Sequence, residues 1–154
     1  MAILFLALVI GIVAGLRAMT APAAISWAAY LGWLHLGESW LAFLGYFLIP
    51  WILTILAIVE LINDQRPSTP SRKVPIQFGA RIVMGALCGG AIGVNGGSAI
   101  SGLVAGAIGA VIGTLGGADI RGRLAKGFGQ DRPAALIEDA VAIVSALLII
   151  VALR

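Results

Sequence analysis

Charge is scarce in this sequence. Only 11% of its 154 residues are Asp, Glu, Lys or Arg, and 60% are hydrophobic. Soluble domains carry roughly 25% charge, so the shortage excludes an ordinary soluble fold and indicates a chain built for lipid. The mean hydropathy of +1.06 agrees. Cysteine is nearly absent: Cys88 stands alone in an apolar run, which excludes an intrachain disulfide. The single histidine, His35, has no companions at metal-ligand spacing, so neither a metal nor another cofactor is expected. The net charge of +3 comes without a basic stripe or an array of stacking aromatics, which argues against a nucleic-acid partner. The stretch GRLAKGFG lacks the spacing and ending of a phosphate-binding loop, and Ser98, Ser101 and Ser145 have no histidine base nearby. No catalytic residue is assigned.

What is present is a series of apolar runs, at about 2–19, 21–34, 40–62, 77–95, 98–118 and 134–153. Crossing a hydrocarbon core takes ~20 helical residues, and four of these runs suffice alone. The first, MAILFLALVIGIVAGL, lacks the basic start of a signal peptide and reads as a retained membrane segment. As one helix, 2–34 would extend about 50 Å, so it must tilt or break. Pro22 removes a backbone donor and disfavours helix at Ala21, and Thr20 is placed to cap a new helix. The spacing therefore predicts a break near Arg17–Pro22, with 21–34 as a second, short helix or a re-entrant half-helix.

Orientation follows from the connections. Arg66, Arg72 and Lys73 lie in 63–75, and Arg121, Arg123, Lys126 and Arg132 in 119–133. The positive-inside rule puts both loops in the cytoplasm and the C-terminus outside. The N-terminus is then inside if 2–34 crosses once and outside if it crosses twice. Ile120, Leu124 and Phe128, spaced by four, suit a short surface helix, although a plain basic loop is the simpler expectation.

Thirteen of the 21 glycines fall between Gly79 and Gly117, several four residues apart, as at Gly85/Gly89/Gly93, Gly102/Gly106 and Gly109/Gly113/Gly117. Gly11/Gly15 repeats the spacing. Such stripes let helices approach closely, within one subunit or across a dimer. IGIVAG (10–15) resembles IGAVIG (108–113), and LIND (61–64) resembles LIED (136–139), a faint sign of internal repetition.

Some charges are not explained by topology. Arg17, Glu60, Asp64, Arg81, Glu138 and Asp139 each lie at the margin of an apolar segment or inside it. Such groups cost at least about 2.5–3.5 kcal/mol at the bilayer centre and persist when paired, hydrated or used. Counted from the ends of their segments, they fall in one layer of the inner leaflet. Two readings follow: the groups pair as structural ions, or they form a binding site at the start of the second helix. In the second, Arg17 and Arg81 contact an anionic group beside Thr20, while Glu60, Asp64, Glu138 and Asp139 hold a proton, cation or polar substrate.

GLRAMTAPAA (15–24), VELINDQRPSTPSR (59–72) and LIEDAVAIV (136–144) together resemble the small bacterial membrane proteins catalogued as domain of unknown function 4126. The resemblance implies a polytopic protein of the bacterial inner membrane and supplies no substrate. Gln65 stands where the family's pattern has lysine, so no basic role carries over to it.

The sequence thus predicts an all-α, polytopic transmembrane bundle, one membrane domain over 1–154 with the equivalent of five full crossings. Its expected surroundings are membrane lipid, a small polar or anionic solute, and a second copy in a homodimer. A transporter or channel-like carrier is favoured, with a structural or assembly subunit as the alternative and a lipid-modifying enzyme behind both.

Overall fold

The computed structural model describes residues 1–66 and 71–154, so residues 67–70, the centre of the first basic connection, lie outside the described residues. Among them are six α-helices and no strand: α1 (Ala2–Leu16), α2 (Thr20–Tyr30), α3 (Ile49–Asp64), α4 (Pro75–Asn95), α5 (Ala99–Phe128) and α6 (Asp131–Ala152). A 3-10 turn, Ala42–Gly45, precedes α3. Three helices, α4, α5 and α6, are long and apolar enough to cross a bilayer. This is the build of a membrane protein.

The break in the first segment is where the proline and arginine suggested. Arg17 is extended, at φ −140° and ψ 112°, and ends α1. Pro22 falls in the first turn of α2, where its missing N–H removes no helical bond. Thr20 is not the cap: it is already helical, Met19 holds the cap position, and no side chain of either caps the helix. Two other boundaries differ from the apolar runs. Residues 40–48 are apolar but not regular helix, and α3 starts at Ile49 with Pro50 in its first turn. At the other extreme α5 does not stop near residue 118. It continues through the basic stretch to Phe128 and ends on Gly129 at φ +69°, a left-handed cap that glycine takes without strain. The basic residues 119–128 are therefore the overhang of a helix about 45 Å long, neither a loop nor a separate surface helix.

Local contacts show how the chain runs. Ile3 packs on Gly96, the His35 N–H donates to Asn95 Oδ1 at 3.2 Å, and the Arg154 guanidinium lies 5.6 Å above the Trp33 ring. These residues share one end of the bundle. Arg17, Asp64, Arg81, Arg121 and Glu138 share the other, as shown below. So α1 runs one way, α2 returns, and each later helix reverses its predecessor. Residues 2–34 go out and back, and both chain ends lie at the same end.

The tightest packing joins α1, α4 and α5. A Cβ on Gly11 would strike the Gly106 carbonyl, and one on Gly106 would strike that of Gly85. Built on Gly89, it would stand 2.7 Å from Gly106 Cα. Backbones this close leave no room for a methyl group, which is why glycine stands there. The two similar hexapeptides meet each other: Gly109 and Gly113 face Leu8 and Ile12. The opposite face of α5 carries Ile100, Val104, Ile108, Ile112 and Leu115, all exposed. Exposed Ile52, Ile55, Leu56, Val59 and Ile62 do the same on α3. Bare apolar faces of this extent suit contact with lipid.

Candidate functional site

Two helix ends meet at Arg17, and each leaves unsatisfied backbone groups. α1 ends on free carbonyls. Arg81, from α4, donates to two of them, Gly15 O at 2.9 Å and Leu16 O at 2.8 Å. The two residues leading into α2, Ala18 and the cap Met19, also present N–H groups outside any helical ladder. Glu60, from α3, accepts from Ala18 N and Met19 N, each at 2.8 Å, one on each carboxylate oxygen. A cation thus sits on a helix C-terminus and an anion on a helix N-terminus, each matched to the local dipole. Arg81 Nη2 and Glu60 Oε1 are 3.7 Å apart. The Thr114 hydroxyl donates to Ala110 O at 2.7 Å and lies 3.3 Å from Gly15 O. The interruption is closed by side chains from three other helices.

Arg17 itself has 0% exposure. Its Nε donates to Asp139 Oδ1 at 2.5 Å and its Nη1 to Asp64 Oδ2 at 2.5 Å. Its Nη2 makes an ion-pair contact with Asp139 and lies 3.6 Å from Glu138. The network continues outward. Arg72 is buried and grips Glu138 with both terminal nitrogens, Nη2 at 2.7 Å from Oε2. Arg121 donates to Asp64 Oδ2 at 2.5 Å and to Asp131 at 2.6 and 3.0 Å, with Glu138 Oε2 at 3.4 Å. The Gln65 amide reaches Asp139 Oδ2 at 3.5 Å. Four arginines, Arg17, Arg72, Arg81 and Arg121, therefore meet four inner carboxylates, Glu60, Asp64, Glu138 and Asp139, with Asp131 at the rim. Burying such groups is costly unless they are paired and hydrogen-bonded, and here each has a partner of opposite charge within 4 Å.

Six of the seven residues singled out by sequence come together. The seventh, Thr20, is buried but its hydroxyl has no hydrogen-bond partner among the described residues. Arg81 does not point at a free anion; it serves α1 carbonyls and neighbours Glu60. Sequence reasoning missed three members. Arg72 is not an ordinary loop charge, because its turn folds back onto Glu138. Arg121 carried a usable signal: it continues the four-residue spacing of Gly113 and Gly117, which puts it on the packed face of α5. Gln65 lies one residue beyond α3 and offered none.

Arg17 touches Asp64 and Asp139 directly. A groove of about 180 Å³ adjoins the network between Leu16, Ile120, Leu124, Ile137 and Val141. A wider cavity of about 840 Å³ opens at the opposite end, among Leu34, His35, Glu38, Ser39, Tyr46 and Val94. Between the two ends lies an apolar core that includes Ile10, Ile25, Leu41, Leu44, Cys88 and Ile92. Among the described residues no three His, Cys, Asp or Glu side chains group as a metal site. An arginine occupies the centre of the carboxylates instead. Comparison with protein-family models, with curated proteins and with solved structures finds no match for the chain.

Proposed function

We propose that this protein is a small polytopic carrier for a small polar or anionic solute in the bacterial inner membrane, with the ion-pair layer as its closed cytoplasmic gate. The charge distribution supports the orientation. Of ten Lys/Arg and seven Asp/Glu, only Arg154 and Glu38 lie at the far end, and the positive-inside rule assigns the other end to the cytoplasm. Both chain ends are then outside. The resemblance to the domain of unknown function 4126 proteins supports the bacterial setting.

The observation that carries the reading is how the break is closed. Irregular backbone at membrane depth is tolerated where it is buried in protein or lines a path, and carriers place interrupted helices at their binding sites. A break that served folding alone could be closed by a local Ser or Thr cap. This one is closed by Glu60 and Arg81, ionisable groups on two different helices, which can part when those helices move. The wide cavity at the opposite end would admit solute while the charged end is shut. A homodimer is part of this reading, because one subunit offers few helices to wall a path. A second copy would dock on an apolar outer face, since the glycine stripes are occupied within one chain.

A second reading is favoured by one observation: among the described residues the inner charges balance, four against four, in direct contact. On it the layer only holds helices together in a structural or assembly subunit. Flux of small anions and protons into vesicles containing the purified protein separates the two. The carrier reading expects flux, and expects Glu60→Gln to change it while leaving a folded protein. Absent flux, with Arg17→Ala lowering abundance and a charge-swapped Arg17→Asp/Asp139→Arg pair restoring it, establishes the second. An altered lipid profile without flux would point instead to a lipid-modifying enzyme.

A further inference from the structure

The four inner carboxylates are not held alike. Asp64 lies 2.5 Å from both Arg17 and Arg121, Glu138 is forked by Arg72, and Asp139 contacts Arg17. The nearest cation to Glu60 is Arg81 at 3.7 Å, beyond hydrogen-bond reach, and its direct partners are two neutral backbone N–H groups. It is also the most exposed of the four, with side-chain exposure of 17% against 15%, 10% and 7%. Two backbone N–H groups, one on the residue capping an 11-residue helix and one on the residue before it, with an arginine beside them, form an anion site. Nothing in those partners is specific to a carboxylate attached to this chain.

Two further polar groups next to this site lack partners among the described residues. Thr20, the first residue of α2, is 8% exposed and its Oγ1 is unpaired. Arg81 is 3% exposed and its Nε is unpaired. A hydroxyl and a guanidinium N–H buried without acceptors are what Glu60, with both oxygens committed to the backbone, leaves unsatisfied. An acceptor entering beside it could take them.

We propose that the start of α2 is a binding site for a small monovalent anion, of the size of formate or chloride, which Glu60 fills as a tethered substitute. The inference deepens the carrier reading and rests on it only for the anion's passage, because binding itself requires no transport. Anion entry requires Glu60 to swing away. Without Glu60 the inner layer holds four arginines against three carboxylates, one positive charge in excess, and two freed N–H groups. A bound anion restores both.

The test is thermal unfolding of the full chain in detergent, with sodium formate titrated against sodium gluconate at constant ionic strength. Glu60→Ala and the near-isosteric Glu60→Gln should unfold earlier than wild type in gluconate. Formate should then raise their Tm by about 4 °C or more, saturably, as expected for a ligand that binds only the folded state. Wild type, with Glu60 in place, should respond less. A folded Glu60→Gln or Glu60→Ala that ignores formate overturns the proposal, and so does an equal response from Asp139→Ala, which would show general charge compensation. If Glu60→Ala does not fold, Glu60→Gln carries the measurement. Saturable formate binding without flux in vesicles leaves the site standing and removes the carrier; flux with formate-blind Glu60 variants does the reverse.

Discussion

The two ends of this bundle solve opposite problems. At one, nine of the ten basic residues and six of the seven acidic ones are gathered, and the innermost are dry and mutually paired. At the other, all four tryptophans and both tyrosines fall within residues 27–51, the stretch that also supplies most of the wall of a wide open cavity. Trp27 stacks edge-on with Tyr30 and Trp51, and its Nε1 donates to Thr54 Oγ1 at 3.0 Å. Rings with one polar atom suit a boundary between lipid and water and need one partner each. An arginine has five donors and must find most of them a partner once water is gone. Hence the charged end is assembled from the end of α1 and from α3, α4, α5 and α6, while the aromatic end is made largely by one continuous stretch. Long-range order is demanded by ions, not by rings.

If that contrast is correct, the most damaging single change lies at the charged end. Arg17→Ala strands Asp139 with only the Gln65 amide and should cost about 3–5 kcal/mol. Denaturant unfolding in mixed micelles measures it. A loss below ~1 kcal/mol would mean that the layer is hydrated and that the contrast fails. Adding Asp139→Asn to Arg17→Met should recover part of the loss, because the orphaned charge is then removed.

The seam that joins the two ends comes next. Gly106→Ala forces its new methyl into the Gly85 backbone and should cost about 1–3 kcal/mol by overpacking. Gly116→Ala and Gly79→Ala meet open space and should be neutral, or stabilising by up to ~1 kcal/mol. Equal effects at Gly106 and Gly116 would sink the close-packed seam.

Smaller effects belong to the aromatic end and the outer rim. Thr54→Val leaves the Trp27 N–H without its acceptor and should cost about 0.5–1.5 kcal/mol, with a shift in tryptophan emission as a second readout. Arg123→Ala removes a pair with Asp119 at 3.0 Å in which both side chains are largely exposed. It should change stability by less than ~0.5 kcal/mol. The same mutation at Arg121, two residues earlier on the same helix, should cost several times more, because Arg121 faces the network rather than solvent.

The charged layer was legible in outline. Arg17, Glu60, Asp64, Arg81, Glu138 and Asp139 stood out because apolar surroundings make an ion conspicuous, and the break was marked by Pro22. The partners were not legible. The start of α2 was read as an empty anion site with Thr20 as its cap, yet Glu60, forty residues on, fills it and the hydroxyl is left unpaired. Arg72 and Arg121 sat in stretches whose positive charge already had a topological explanation. Helix limits failed where hydropathy and backbone part company. Residues 40–48 are apolar without being regular helix, and 119–128 are polar without ending one, because a helix continues as long as its hydrogen bonds do.

By itself, the sequence determined what a one-dimensional pattern can: a membrane chain, helical, interrupted after its first segment, with charge concentrated in two connections. Those properties follow from composition and local stereochemistry, which act over one to four residues. Only the tertiary structure decided that 2–34 turns back on itself, that the glycines face each other inside one chain, and which ion meets which. Pairing is set by where six helices place their ends in space, and residues 17 and 139 have no local reason to meet.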